Sequence, residues 1–201
     1  MIGDLTELQQ ERREKILQAS LTQFSTIGFY KTELEHIARE AGVGKGTIYR
    51  YFRNKHDLYL KTVEYEIDKF FRFLVEQLAS AKTLSEYFSI WIRRFLTYFT
   101  AERHSFRLFF LSSAGVVEDV IKIVESMQKK YYPVLAGPIQ RAIDGHALSS
   151  VEPGIIIGAL DGMLMFLLFS QSRQQGGSIE DIYQSVWTLV SQGWIREEFA
   201  L

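Results

Sequence analysis

The sequence predicts an all-α protein with a small three-helix head, residues 1–54, followed by a larger helical body, residues 55–201. Apolar residues recur at helical spacing from end to end, and no alternating pattern with hairpin turns indicates a strand. Helix-capping residues and glycines separate the apolar stretches and set the expected helix bounds. A chain of 201 residues fits one or two domains.

The composition excludes several classes of protein. Hydrophobic residues make up 47% of the chain, which is enough for a packed core and too many for a disordered protein. The chain has no Cys, so disulfides, thiol nucleophiles and thiolate metal sites are excluded. The four His residues are scattered, no carboxylates pair at catalytic spacing, and no glycine-rich phosphate loop follows a strand. We therefore expect a protein that is not an enzyme and needs neither a cofactor nor a metal.

The sequence also argues against a membrane protein. Residues 1–10 are polar and acidic, unlike a signal peptide. The most apolar stretch, residues 155–169, is shorter than the roughly 20 residues that a spanning helix needs, and Asp161 interrupts it. A charge at the centre of a spanning helix costs about 2.5–3.5 kcal/mol. We expect a buried helix of a cytoplasmic protein here.

Capping pairs and terminal glycines bound the first two helices of the head. A Ser or Thr followed three residues later by Glu or Gln can satisfy the free N–H groups at a helix start, and Gly suits the position after a helix end. A third short helix is expected over residues 44–51. The starts are Thr6 with Gln9 and Thr32 with Glu35, and the stops are Gly28 and Gly42.

The body opens with a long helix over residues 55 to about 79, capped by Asn54 with Asp57 at its third position. Thr83 with Glu86 begins the next helix. A shorter, aromatic-rich helix follows and is expected to end near residues 114–115.

The C-terminal third is expected to form three further helical stretches. Pro133 and Pro138 each remove a hydrogen bond from the stretch 117–143, so we expect a kink or break between residues 132 and 138. Glycines mark the expected helix ends, and hydroxyl side chains mark the starts. These markers are Gly145, Ser149 or Ser150, Gly176 with Gly177, and Ser178 with Asp181.

Residues 33–52 have the length and turn chemistry of a helix-turn-helix, in which the second helix enters the major groove of DNA. Small residues at the leading end of that helix leave room for the duplex. Residues 42–56 carry four basic residues and no acidic one, although the whole chain has a net charge of −1. Such a cationic segment attracts phosphates, although four charges can also form an ordinary solvated face. The expected groove or phosphate residues are Lys45, Thr47, Tyr49, Arg50 and Lys55, whereas Ile48 and Phe52 are expected to point towards Phe24 and Ile37 in the core.

The head resembles the DNA-binding domain of TetR-family transcriptional regulators over about residues 10–70. The runs that carry the resemblance are Gly28-Phe29-Tyr30-Lys31-Thr32, Ile37-Ala38-Arg39-Glu40-Ala41-Gly42-Val43, Lys45-Gly46-Thr47-Ile48-Tyr49, and Tyr51-Phe52 with Asn54, Lys55 and Leu58. The resemblance implies DNA contacts by Thr32, Lys45, Gly46, Thr47, Tyr49 and Lys55, with Arg50 and Tyr51 at positions that are commonly aromatic or His. One departure is Gly44, where the family often has a Ser whose hydroxyl can cap the helix or bind phosphate.

The resemblance also implies an effector pocket in the body. Aromatic residues are dense over residues 57–135, and an aromatic stripe at helical spacing is usually core. The expected pocket residues are Phe70, Trp91, Phe95, Phe110 and Met127, with His104, Arg94 and Asp161 as polar candidates. Asp161 lies in an apolar helix, where a lone carboxylate is costly, so we expect a structural partner first and a ligand second.

Gly154, Gly158 and Gly162 recur every four residues and permit close approach of another helix. Packing within one chain is one interpretation, and the family comparison favours a dimer interface formed by this helix and the final one. The expected interface residues are Gly158, Gly162, Leu164, Leu168, Val186, Leu189 and Trp194.

Taken with the resemblance, these features imply a homodimeric, ligand-responsive transcriptional regulator, expected to be a repressor. Its partners are double-stranded DNA with a palindromic operator and a lipophilic or aromatic small molecule that releases it, and no membrane is expected. The long fourth helix is the expected lever between head and body. The alternative is a helix-turn-helix architectural or cell-division factor whose body binds a protein partner.

Overall fold

The structure, a computed structural model, describes residues 6–110, 117–173, 178–196 and 198–201, without the side chains of Phe110, Val117 and Arg173. All regular elements within these residues are helical, which confirms the all-α prediction. In chain order they are α1 Glu7–Ile27, α2 Leu34–Glu40, α3 Lys45–Tyr51, α4 Lys55–Leu78, α5 Leu84–Ala101, α6 Arg103–Phe110, α7 Val117–Asp144, α8 Pro153–Arg173 and α9 Ile179–Leu189, which continues into the π-helical turn Val190–Trp194.

The helices group into two units. The first takes in residues 1–68 and 102–127, and the second takes in residues 69–101 and 128–201. In the first unit α1 packs against α2 and α6, and α2 packs against α3. In the second unit α5 packs against α8 and α9. The chain passes between the units within α4, between α5 and α6, and again within α7. The expected boundary at residues 54/55 stays a prediction.

Four of the expected helix starts are confirmed by local hydrogen bonds. At the start of α5 the Glu86 N–H donates to Thr83 Oγ1 at 3.2 Å. The Thr6 N–H donates to Gln9 Oε1 at 2.9 Å at the start of α1. The Asp57 N–H donates to Asn54 Oδ1 at 2.8 Å at the start of α4. The Asp181 N–H donates to Ser178 Oγ at 3.1 Å at the start of α9. Each pair is three residues apart, so the sequence alone places both groups within reach.

The expected capping pair of Thr32 and Glu35 is wrong. The residue that precedes α2 is Glu33, and its side chain makes no capping bond. The Thr32 hydroxyl instead donates to the Gly28 carbonyl at 2.8 Å. That carbonyl is exposed by the sharp end of α1, where Gly28 has a φ of 84°. The Thr32 side chain therefore bonds to this nearby carbonyl and does not cap the start of α2.

The start of α8 also differs from the expectation. Neither Ser149 nor Ser150 caps it, because the helix begins at Pro153, whose missing N–H costs nothing at a first helical position. The Glu152 carboxylate accepts the Gly154 N–H at 3.0 Å and supplies the cap. The expected helix ends near residues 114–115 and at residues 176–177 lie outside the described residues.

Pro133 and Pro138 do not break α7, which runs as one helix from Val117 to Asp144. Buried residues on either side of the prolines hold the helix against the rest of the second unit. These residues are Tyr131, Leu135, Ala136 and Ile139. Their packing outweighs the lost hydrogen bonds, which cost roughly 3 kcal/mol for a proline inside a helix.

Candidate nucleic-acid interface and ligand cavity

Helix α3 has one buried face and one exposed face. Ile48, in the middle of the helix, and Phe52, just after it, are both 1% exposed. Phe24 and Ile37, their expected neighbours in the core, are also buried. The opposite face leaves Lys45, Gly46, Tyr49 and Arg50 exposed and Thr47 half-buried, with 50% of Tyr49 accessible. The expected groove residues therefore share the solvent side of one short helix.

The turn before α3 is closed by backbone bonds. Gly42 has a φ of 66°, a left-handed conformation that favours glycine. The Val43 N–H donates to the Ala38 carbonyl at 2.9 Å, which ends α2 and redirects the chain. A Cβ atom at Gly44 or Gly46 would meet no other atom within 4 Å. Space is therefore open beside the small residues at the leading end of α3.

Lys45 is paired with an acidic neighbour that sequence reasoning missed. Its ammonium donates to the Glu35 carboxylate on α2, and both side chains are about half exposed. The pairing raises the pKa of Lys45 and lowers the pKa of Glu35. Both residues stay charged at neutral pH, so a DNA phosphate must compete with Glu35 for Lys45.

Thr32 and Lys55, two expected DNA contacts, hold the loop between α1 and α2. Thr32 is buried, and both its hydroxyl and its N–H donate to the Gly28 carbonyl. The Lys55 ammonium donates to the carbonyls of Tyr30, at 3.1 Å, and Thr32, at 3.0 Å, and lies 4.8 Å from the Phe29 ring centroid. An ammonium has three N–H donors, so one of them is left for a phosphate.

A cavity of about 140 Å³ lies in the second unit, between α4, α7 and α8. Aromatic and aliphatic side chains form much of its wall, and one carboxylate is part of it. The described lining residues are Phe71, Gln128, Tyr132, Leu135, Gly154, Ile157 and Asp161.

Asp161 has the structural partner that its apolar surroundings required. Trp91 Nε1 donates to Asp161 Oδ1 at 2.9 Å. Burial raises the pKa of Asp161 to about 7, and the hydrogen bond from Trp91 opposes that rise. Burial and the nearby Asp161 charge also raise the pKa of Tyr87, whose hydroxyl donates to the Leu135 carbonyl at 2.8 Å. The carboxylate thus lies in a low-dielectric wall of the cavity.

The other expected pocket residues are placed elsewhere. Phe70 and Phe95 pack against each other with ring centroids 5.4 Å apart in the core of the second unit. Trp91 is fully buried behind Asp161. Met127 and His104 belong to the first unit, and the side chain of Phe110 lies outside the described part. Sequence reasoning missed Phe71 and Tyr132 as cavity residues. Helical spacing alone does not show which of two adjacent aromatic residues, such as Phe70 and Phe71, packs in the core and which lines a cavity.

His104 takes part in a hydrogen-bonded link between α1 and α6. Its Nδ1 lies 2.7 Å from Ser25 Oγ, and Arg107 Nε donates to the Ser25 carbonyl at 3.0 Å. Ser105 donates to the buried carboxylate of Glu66 on α4. These bonds tie α6 to the first unit by polar groups as well as by packing.

Helices α8 and α9 leave an apolar surface uncovered. Ile155 is 61% exposed, Phe166 64% and Leu189 57%. A Cβ atom at Gly158 or Gly162 would meet nothing within 4 Å. Leu164, Leu168 and Val186, which were expected to face a partner, are instead buried within the chain, and Trp194 is half-buried beside Phe88. Within the described residues, α8 is also the one helix whose length and apolar composition would allow it to cross a membrane.

A sequence model of the bacterial regulatory proteins of the TetR family matches residues 16–62, which include α2, α3 and the turn between them. Over these residues the chain is similar to the DNA-binding domain of TetR-family regulators. The chain is 41% identical over 64 residues to the HTH-type transcriptional regulator HbdR of Aromatoleum sp. (strain CIB). That alignment covers 32% of this chain, and it spans only 28% of the length of HbdR. That relative is named as a transcriptional regulator, the class that the sequence of the head predicts.

Two solved structures share the fold over nearly the whole chain. FadR from Bacillus subtilis, in complex with stearoyl-CoA, superposes with a TM-score of 0.73 at 20% identity, covering 90% of this chain and 98% of FadR. A protein from Saccharomonospora viridis, in complex with choline, gives a TM-score of 0.76 at 15% identity, covering 94% and 100%. At these identities the likeness establishes the shared all-helical fold and nothing finer.

The Glu35–Lys45 pair generates a prediction for binding to duplex DNA. Glu35→Gln should raise the affinity roughly threefold at low salt, because it removes an acidic neighbour and frees the Lys45 ammonium, and the gain should shrink as salt screens the charges. Fluorescence anisotropy with a labelled duplex measures this. The matched control is Glu180→Gln, which removes a carboxylate paired with Arg93 in the second unit. An equal gain in both variants would contradict the assignment of Lys45 to the interface.

The raised pKa of Asp161 generates a second prediction. Folding raises the pKa of Asp161 from 3.8 to about 7. Between these two pH values the folded chain keeps a proton that the unfolded chain has lost. The wild-type protein therefore loses stability as the pH rises from the lower value to the higher one. Asp161→Asn has no such proton to lose. Its thermal midpoint should therefore gain more over wild type at about pH 8 than at about pH 5. The same difference at both pH values would contradict the enclosed carboxylate.

Proposed function

We propose that this chain is a DNA-binding transcriptional regulator that acts as a homodimer and responds to a small molecule. The observation that carries the proposal is the two-faced α3. Its apolar side chains are buried, and Lys45, Tyr49 and Arg50 are displayed together beside an unobstructed leading end. Donors of this kind bind phosphates, and a helix open at its leading end can enter the major groove.

The uncovered surface of α8 and α9 supports the homodimer. Ile155, Phe166 and Leu189 expose apolar side chains, and exposed apolar patches mark interaction sites. Glycines at positions 158 and 162 let a second helix approach closely. A two-fold dimer repeats the same patch and presents two copies of α3 to a palindromic operator. Membrane insertion of α8 is less favourable, because Asp161 lies in the middle of the helix.

The cavity in the second unit supports a small-molecule effector over a protein partner. Pockets for small molecules are concave and mostly apolar with a few polar groups, and this wall has one carboxylate among aromatic and aliphatic side chains. Two proteins of the same fold are named as complexes with stearoyl-CoA and choline. A lipophilic or aromatic effector fits this wall.

The path from effector to DNA runs along α4 in this proposal. One end of the helix is fixed by Asn54 and by the two hydrogen bonds of Lys55, and Phe71, four turns further along, lines the cavity. A ligand changes DNA affinity only by binding one arrangement of the dimer better than another. The dimer acts as a cytoplasmic repressor that occupies the operator until the effector releases it.

The direct test is the salt dependence of binding to duplex DNA. Each phosphate contact contributes about 0.9 to the slope of log affinity against log salt. Arg50→Ala should lower the affinity for all duplexes and reduce the slope by about two in a dimer. The matched control is Arg94→Ala, an exposed arginine on α5 in the second unit, which should leave both unchanged. Absence of binding by the wild-type protein at low salt would overturn the proposal, and an unchanged slope in Arg50→Ala would remove Arg50 from the interface.

The homodimer has a test of its own. Phe166→Glu places a charge on the exposed apolar surface of α8 and should convert the dimer to monomers, because burying an unpaired carboxylate in an interface is costly. Sedimentation equilibrium measures the change in mass. Val134→Glu, on an exposed position of α7 that is 55% accessible, is the matched control and should stay dimeric. A wild-type protein that is monomeric throughout, or a Phe166→Glu dimer as stable as wild type, would contradict the interface.

A further inference from the structure

We propose that the cavity of the second unit binds a compact organic cation, an ammonium group enclosed by aromatic rings with Asp161 as its counter-charge. This inference rests on the proposed function, because the cation would be the effector of the regulator. It names the chemistry of the ligand, which neither the family nor the fold specifies.

The charges around the cavity are the first argument. Asp161 is part of the wall, and the described lining residues include no Lys, Arg or His. A second carboxylate, that of Glu152, accepts hydrogen bonds from the Tyr132 hydroxyl and the Gly154 N–H, and both of those residues line the cavity. Two acids with no base among these residues favour a positively charged guest.

The hydrogen bonding of Asp161 is the second argument. The indole of Trp91 is a neutral donor, so it orients Oδ1 without neutralising the charge. The raised pKa of the carboxyl group has the same physical meaning, since burial penalises the anion and the neutral Trp91 donor only partly offsets that penalty. A bound ammonium would supply the missing charge, would lower the pKa of Asp161 and would be strongly attracted in a low-dielectric wall.

The aromatic rings and the size of the cavity are the third argument. Phe71 lines the cavity and is stacked on Tyr131 with ring centroids 5.1 Å apart, and Tyr132 adds a second aromatic wall. Aromatic faces attract ammonium groups, most of all those that carry methyl groups and are poorly hydrated. An apolar cavity of about 150 Å³ holds a benzene molecule, so the volume of about 140 Å³ found here suits a small ammonium group.

The test compares two probes of the same shape. Choline carries a trimethylammonium group, and 3,3-dimethylbutan-1-ol carries an uncharged tert-butyl group in its place. Isothermal titration calorimetry on the full chain without DNA should show choline binding at least about tenfold more tightly than the alcohol. Asp161→Asn should remove this preference while the affinity for the alcohol changes little. Phe71→Leu, which keeps the carboxylate, should also weaken choline more than the alcohol.

Equal binding of the two probes by wild type, or an unchanged preference for choline in Asp161→Asn, would overturn the inference. Binding of the alcohol alone would indicate a protonated Asp161 that donates to a neutral ligand, and it would overturn the inference as well. Failure of both probes would do the same. These outcomes are independent of the proposed function. If the protein binds duplex DNA but does not bind choline, the proposal of a regulator stands and only the proposal of a cationic ligand fails.

Discussion

The burial of Ile48 and Phe52 fixes the orientation of α3, and the face that we propose for DNA binding depends on it. A helix of seven residues is unstable by itself, because isolated helices need about 12–15 residues to form in water. Burying each of these two side chains contributes about 1.5–3 kcal/mol, so packing decides whether the helix forms and how it is turned. Once Ile48 and Phe52 are buried, the helical geometry places Tyr49 and Arg50 on the solvent-exposed side of α3.

The polar residues around this face are of two kinds: some hold the surrounding loop and helices in place, and others can exchange their present partner for a phosphate. Thr32 and Lys55 direct their hydrogen bonds at carbonyls of the loop after α1, so they set the position of α2 and α4. Lys45 is held by Glu35 through an exposed ion pair, which is weak in water and easily exchanged for a phosphate. The same residue type therefore has a structural role at position 55 and, in the proposed function, a phosphate-binding role at position 45.

The sequence predicted best those features that depend on neighbours close in the chain. The pairs Thr6 with Gln9 and Asn54 with Asp57 are confirmed because three residues of spacing put donor and acceptor together. The predicted capping role of Thr32 was wrong because its hydroxyl donates to the Gly28 carbonyl instead. The positive φ of Gly28 brings that carbonyl within reach, and the capping pattern of the sequence does not show this. Continuity of α7 through two prolines could not be predicted either, since it depends on packing against distant helices.

The cavity residues also depend on packing between distant segments, so the sequence predicts them only in part. Asp161 stood out because a carboxylate in an apolar helix needs an explanation, and that argument requires no fold. Phe70 and Phe71 are adjacent and equally apolar, yet one packs in the core and the other lines the cavity. Only the three-dimensional arrangement of α4, α7 and α8 separates them. Likewise, the burial of Leu164 and the exposure of Phe166 follow from which side of α8 meets α5 and α9.

Selection of bound fragments from a pool of random duplexes, with the full chain at low ionic strength, tests the central claim most directly. A dimer that presents two copies of α3 should enrich sequences with two-fold symmetric half-sites, separated by about one turn of DNA or a small multiple of it. Enrichment of unpaired half-sites would contradict the dimer. A pool that stays unselected after repeated rounds would contradict the assignment of α3 to DNA.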